Sequence, residues 1–194
     1  MKEVGAGDLG ALIDAARRAV TSPARLYLLA RTSHLAEGWC DRAPRLVLAG
    51  NTDAPLALRE AVLAAGTALA LGVTWESPAT VIPLPAGWEA RSRETRPGLA
   101  GAGPLEVRHF DPYSVVLRLI ARGDEPDYVD ALEYLRHGWV EFPRLEALVA
   151  DVLPRFTSRS LAQDPAEFRR KFRGLWQLHA SSAGAPGTLA EAWP

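Results

Sequence analysis

At 194 residues with a formal net charge of −1, the chain has room for one domain around a sizeable core, and no global field draws it to nucleic acid or an acidic membrane. Cys40 is its single cysteine, which excludes an internal disulfide and argues against a secreted, disulfide-stapled scaffold. The opening MKEVGAGDLG holds no apolar signal core, and no apolar run reaches bilayer-spanning length, so a soluble, cytoplasmic protein with no membrane contact is expected.

In chain order, Leu9–Val20 has helical apolar spacing behind an Asp8 cap, and Arg25–Ala30 reads as a short buried strand. Thr32–Trp39 is expected to be helical. Arg45–Ala49 is a second strand bounded by Pro44 and Gly50. Pro55–Leu71 is rich in Ala and Leu, which favours a long helix. Val73–Trp75 and Val81–Pro83 read as brief strands. Leu84–Gly103, dense in Pro, Gly and Arg, reads as loop.

Leu105–His109 alternates apolar and charged residues as a strand does, and Asp111-Pro112 then opens a helix with an N-cap carboxylate and Pro at its first position. Gly123 ends that helix and Glu125-Pro126 opens the next, which runs to His137. Pro143–Leu153 is a further helix, and Asp164-Pro165-Ala166-Glu167 opens a last one to about His179. From Ser181 to Pro194 the composition suits a disordered tail in which Trp193 has the chemistry to dock. The order implies an α/β (α+β) fold. Residues 1–110 form a mixed sheet with flanking helices, residues 111–180 a helical half packed on it, and residues 181–194 the tail, with the seam near Phe110.

The hairpin from Asp111 to His137 concentrates charge. Val115, Val116, Leu119 and Ile120 share one helical face, while Arg118 and Arg122, four apart, share another. Asp127 and Asp130 lie in the first turn of the following helix, where carboxylates suit the dipole, so an Arg118 or Arg122 pair with one of them is expected. An ordinary surface salt-bridge cluster on a buried hairpin is a simpler explanation of this pattern than a binding site.

Other motifs fall away on inspection. Gly98–Gly103 has glycines enough for a phosphate loop but lacks the Gly-Lys-Ser/Thr and the helix that such a loop needs. The histidines His34, His109, His137 and His179 have no metal-ligand spacing, and no Gly-x-Ser-x-Gly elbow anchors a hydrolase triad. Arg169, Arg170, Lys171 and Arg173 form a basic face on the last helix, most simply a solvated one.

Three phrases, YLLARTSHLAEGW (Tyr27–Trp39), ESPATVIPLPAGWEARS (Glu76–Ser92) and HFDPYSVVLRLIARGDEPDYVDALEYLRHGWVE (from His109), resemble bacterial nucleotidyltransferase-like proteins related to those of abortive-infection and toxin–antitoxin systems. The resemblance spans roughly residues 25 to 175 and implies a polymerase-β-like α/β core followed by helices. It also implies a glycine turn against a triphosphate, an Asp-x-Asp pair plus a third carboxylate holding divalent metal, and a Lys and an Asp on the helical hairpin.

The chain departs from most of that pattern. Ala30 and Arg31 stand where the glycine turn is expected, Arg45 and Val47 at the Asp-x-Asp, Thr74 at the third carboxylate, and Arg118 at the lysine. Ser33 and Asp127, with Asp130 beside it, are retained. Neither Arg nor Val ligates Mg²⁺.

The expectation is therefore a nucleotidyltransferase-fold protein that has lost metal-dependent catalysis, uses no cofactor or metal, and binds a protein partner or a nucleotide. Its remnant phosphate pocket comprises Arg31, Ser33, Arg45, Arg118, Arg122, Asp127 and Asp130. Arg45 either attracts phosphate there or closes the cleft onto Asp127 or Asp130. Two alternatives stay open. One is an active transferase acting on tRNA or protein with relocated carboxylates such as Asp41, Asp53 or Glu76. The other is a nucleic-acid-binding protein that uses an Arg-rich surface.

Overall fold

The computed structural model describes residues 3–51, 56–77, 79, 82–101, 103–157 and 164–183. α1 (Ala6–Ala19) starts where Asp8 accepts the Gly5 N–H at 2.9 Å, and its apolar spacing buries Leu9, Leu12, Ile13 and Ala16. β1 (Ala24–Leu28), α2 (Arg31–Glu37), β2 (Leu46–Gly50), α3 (Leu56–Ala68) and β3 (Val73–Trp75) follow, displaced from the sequence expectations by only a residue or two at most ends. Val81 of the expected Val81–Pro83 strand lies outside the described residues; Ile82 and Pro83 are not strand.

The expected loop over Leu84–Gly103 is corrected. It contains α4 (Trp88–Arg91), the two-residue edge strand β4 (Arg93–Glu94) and α5 (Pro97–Ala100). Such short elements carry no readable periodicity; tertiary contacts define them. Trp88 packs on Tyr27 and Phe110, and Thr95 Oγ1 donates to Val107 O at 3.1 Å.

β5 (Leu105–His109) completes a five-stranded mixed sheet in the order β3-β2-β1-β5-β4. β1 runs antiparallel to β2 and parallel to β5; β2 runs parallel to β3, and β4 antiparallel to β5. Alternation sorts the strand residues onto two faces. Leu26, Leu28, Leu46, Leu48, Leu105 and Val107 join α1 and α3 in one buried cluster. On the opposite face Tyr27, Leu29 and Ala49 join the helices that follow β5.

Those helices are α6 (Pro112–Arg122), α7 (Glu125–Arg136), α8 (Phe142–Val152) and α9 (Pro165–Ala183), with a 3₁₀ turn at Leu153–Thr157 after α8. α6 is the central one. Buried Asp111 caps it, accepting from Tyr113 N and Ser114 Oγ, and Val116, Leu117 and Ile120 are fully buried. Gly123, at φ 73, turns the chain into α7. α9 extends past the expected end at His179. Ser181, placed in the tail by composition, is helical and donates to Gln177 O at 2.8 Å; residues 184–194 of the expected tail lie outside the described residues. Lys171 Nζ clips α9 to the end of α6, donating to Ala121 O at 2.7 Å and Arg122 O at 2.9 Å. No helix among the described residues is long and apolar enough to cross a membrane.

Candidate functional site

The β1–α2 turn, the ends of β2 and β3, and the α6–α7 hairpin meet on one side of the sheet. The turn is strained. Ala30 holds φ 47, ψ −128, a conformation that costs a residue with a Cβ about 1–3 kcal/mol and glycine far less. Its surroundings hold it there. The Ala30 carbonyl accepts from Ser33 N at 2.9 Å and from Tyr134 Oη at 3.3 Å. Ser33 Oγ donates to Leu28 O at 3.0 Å, and Thr32 Oγ1 accepts the Val47 N–H at 2.7 Å. Val47 in turn sits directly beside Thr74 in the parallel β2–β3 register.

Three arginines close over this floor, each on a carboxylate. Arg118, whose side chain is 6% exposed, pairs with Glu76 and donates to Ser77 O at 3.3 Å. Arg122 binds Asp127 through Nε at 3.1 Å and Nη2 at 2.6 Å, and also reaches Glu76 at 3.5 Å. Arg31 Nη1 meets Asp130 Oδ1 at 2.9 Å. The charges balance, three against three. Burial lowers the Arg118 pKa from its ordinary value while Glu76 opposes that; burial raises the Asp130 carboxyl against the pull of Arg31.

His34 lies beneath this network, 1% exposed and 3.6 Å from Asp130. Burial, reinforced by the Arg31 charge, takes its pKa down to about 3, so the ring is neutral at physiological pH and the Asp130 contact is not an ion pair there.

Of the residues expected to form a phosphate pocket, the structure thus gathers Arg31, Arg118, Arg122, Asp127 and Asp130. Ser33 is buried and turned onto the backbone of β1. Arg45, exposed before β2 beside Gly72, joins none of the pairs; Arg31 makes the link to Asp130 that was one option for Arg45. Of the relocated carboxylates considered, Glu76 is held by arginine, Asp41 is exposed, and Asp53 lies outside the described residues. Sequence reasoning missed Thr32, His34 and Tyr134. Their signal was polar or amphipathic residues at otherwise apolar helix positions, which indicates burial without revealing the partner. Among the described residues, no three His, Cys, Asp or Glu side chains are grouped to hold a metal ion.

Comparison with family models, curated proteins and solved structures finds no match to this chain.

Proposed function

We propose that the chain is a nucleotidyltransferase-type scaffold that has given up metal-dependent transfer and works by binding a phosphate-bearing ligand. The observation that carries this reading is a cleft in which Glu76, Asp127 and Asp130 are each engaged by an arginine, above strand positions occupied by Val47 and Thr74. Two-metal phosphoryl transfer needs carboxylates free to balance about four positive charges; here fixed guanidiniums take that balancing role. The strained Ala30 supports the scaffold assignment. A backbone shape suited to glycine persists at the position where the resemblance expects a glycine turn, although the residue there has a Cβ.

The test is calorimetric titration of the full chain with Mg²⁺ and Mn²⁺, together with an assay for metal-dependent transfer of labelled nucleotide to protein or tRNA. No saturable metal binding and no transfer are expected. Labelled product that depends on metal would overturn the reading.

A further inference from the structure

Away from the cleft, a groove of about 660 Å³ opens between the α4–β4 segment, the start of α6 and the start of α8. Its lining includes Arg91, Arg93, Tyr113, Trp139, Glu141 and Arg144. One wall is fixed, because Arg91 grips the buried carboxylate of Asp111 through three contacts of 2.8 to 3.1 Å, which tie α4 to the cap of α6. That arginine is neutralised. The other two are not: among the described residues, neither the Arg93 nor the Arg144 guanidinium makes an ion pair or donates a hydrogen bond.

Both lie over aromatic rings instead. The Arg93 guanidinium sits 4.3 Å from the Trp139 ring centroid, and that of Arg144 5.2 Å from Tyr113. Stacking holds a guanidinium by its face and leaves the N–H edge free, so two donor forks line one cavity with little ordering left to lose on binding. Arg144 also occupies the first turn of α8, where its charge adds to the positive end of the helix dipole; the N-cap residue Glu141 stands beside it but makes no capping hydrogen bond with its side chain. Among the described residues of the lining Glu141 is the only acidic one, and its exposed carboxylate has no partner among the described residues. The balance of two uncompensated cations against one carboxylate suits a ligand that pairs an anionic group with hydrogen-bond donors.

We infer that this groove is a phosphate-binding site for a nucleotide, with Arg93 and Arg144 on the phosphate and Glu141 accepting from ribose hydroxyl or base amino groups. A phosphate concentrates its charge and several acceptor oxygens on one centre that two forks can share, whereas a peptide carboxylate offers one charge and two oxygens, enough for one fork. The same phosphate chemistry comes from a free mononucleotide or from the backbone of a single strand. The inference gives the binding role proposed above a location and a ligand class, and rests on that reading.

The full chain, in buffer with chelator, is titrated calorimetrically with adenosine 5′-monophosphate, inorganic phosphate, a short oligothymidylate and tetraglutamate. Saturable binding of a phosphate compound is expected, weakened about tenfold or more by Arg93→Gln and by Arg144→Gln, and unchanged by Arg59→Gln, an exposed arginine on α3. Glu141→Gln is expected to tighten inorganic phosphate while weakening the mononucleotide relative to it. Mononucleotide binding as tight as that of the strand identifies the free nucleotide as the source; binding of the strand alone identifies the backbone. The site is overturned if no phosphate compound saturates, if Arg59→Gln weakens binding as much as the groove variants, or if tetraglutamate binds tightest. Metal-dependent transfer in the separate assay would remove the proposed loss of catalysis without touching the groove result, so the two failures are distinguishable.

Discussion

The cleft and the groove use the same side chain in opposite ways. In the cleft, Arg31, Arg118 and Arg122 are spent on carboxylates of the same molecule, and Arg118 is almost wholly buried. In the groove, Arg93 and Arg144 are exposed, lie on aromatic faces and pair with no carboxylate among the described residues. An arginine that neutralises its own protein's charge stabilises the fold and has little left for a ligand. An arginine parked on a ring contributes little to stability and keeps its donors. Residue type alone therefore does not separate structural from ligand-binding arginine; the partner does.

The largest separation between the two regions is expected from truncation. Arg118→Ala removes the buried partner of Glu76, which keeps only Arg122 at 3.5 Å, and should destabilise by about 2–3 kcal/mol, whereas Arg144→Ala should cost about 0.5–1 kcal/mol. Urea unfolding of the two variants checks this, and equal losses would erase the contrast.

Acid comes next. His34 lies under the cleft, and His109 packs 4.8 Å from the groove's Trp139 with its Nε2 3.0 Å from Glu37. Burial lowers the pKa of His34 to about 3 and of His109 to about 4, the latter despite Glu37. The unfolded chain takes up these protons first, near the ordinary value of about 6.5. Stability should therefore fall as pH drops below that value, by up to about 1.4 kcal/mol per pH unit for each histidine. The loss should level off near pH 4 for His109 and near pH 3 for His34. Urea midpoints at pH 7 and pH 5, for the parent, His34→Gln and His109→Gln, apportion the loss; a pH-independent parent would contradict both assignments.

Beneath the cleft, Ala30→Gly should stabilise by about 1 kcal/mol, as relief of strain exceeds the entropy added to the unfolded chain. A lower melting temperature in that variant would show the turn to be unstrained. Smaller still is the pair of exposed Arg122 with buried Asp127, for which a double-mutant cycle should give about 1 kcal/mol or less of coupling.

What the residues reveal unaided follows the range of the forces involved. The Asp111 cap, the Gly123 stop and the apolar face of α6 are local, and the structure follows them closely. An arginine pair with Asp127 was also within reach of local reasoning, since the helix break places Arg122 beside that carboxylate. Partners distant in sequence were not: Arg118 with Glu76, Arg31 with Asp130, and Arg91 with Asp111 are joined by tertiary packing alone. The groove was hidden for the same reason. Its floor comes from α4 and β4, elements too short to show any period in a stretch dense in Pro, Gly and Arg.

The clip between α9 and α6 makes the chain readable by amine chemistry. Lys2 and Lys171 are its only lysines. Lys171 Nζ is held by two carbonyls at the end of α6 and by Glu167 at 3.1 Å, with the side chain only 19% exposed. An amine so enclosed is shielded from acylating reagents, and it becomes accessible as α9 lifts away. The extent of acylation at Lys171 thus reports, at a single native site, whether the last helix is docked.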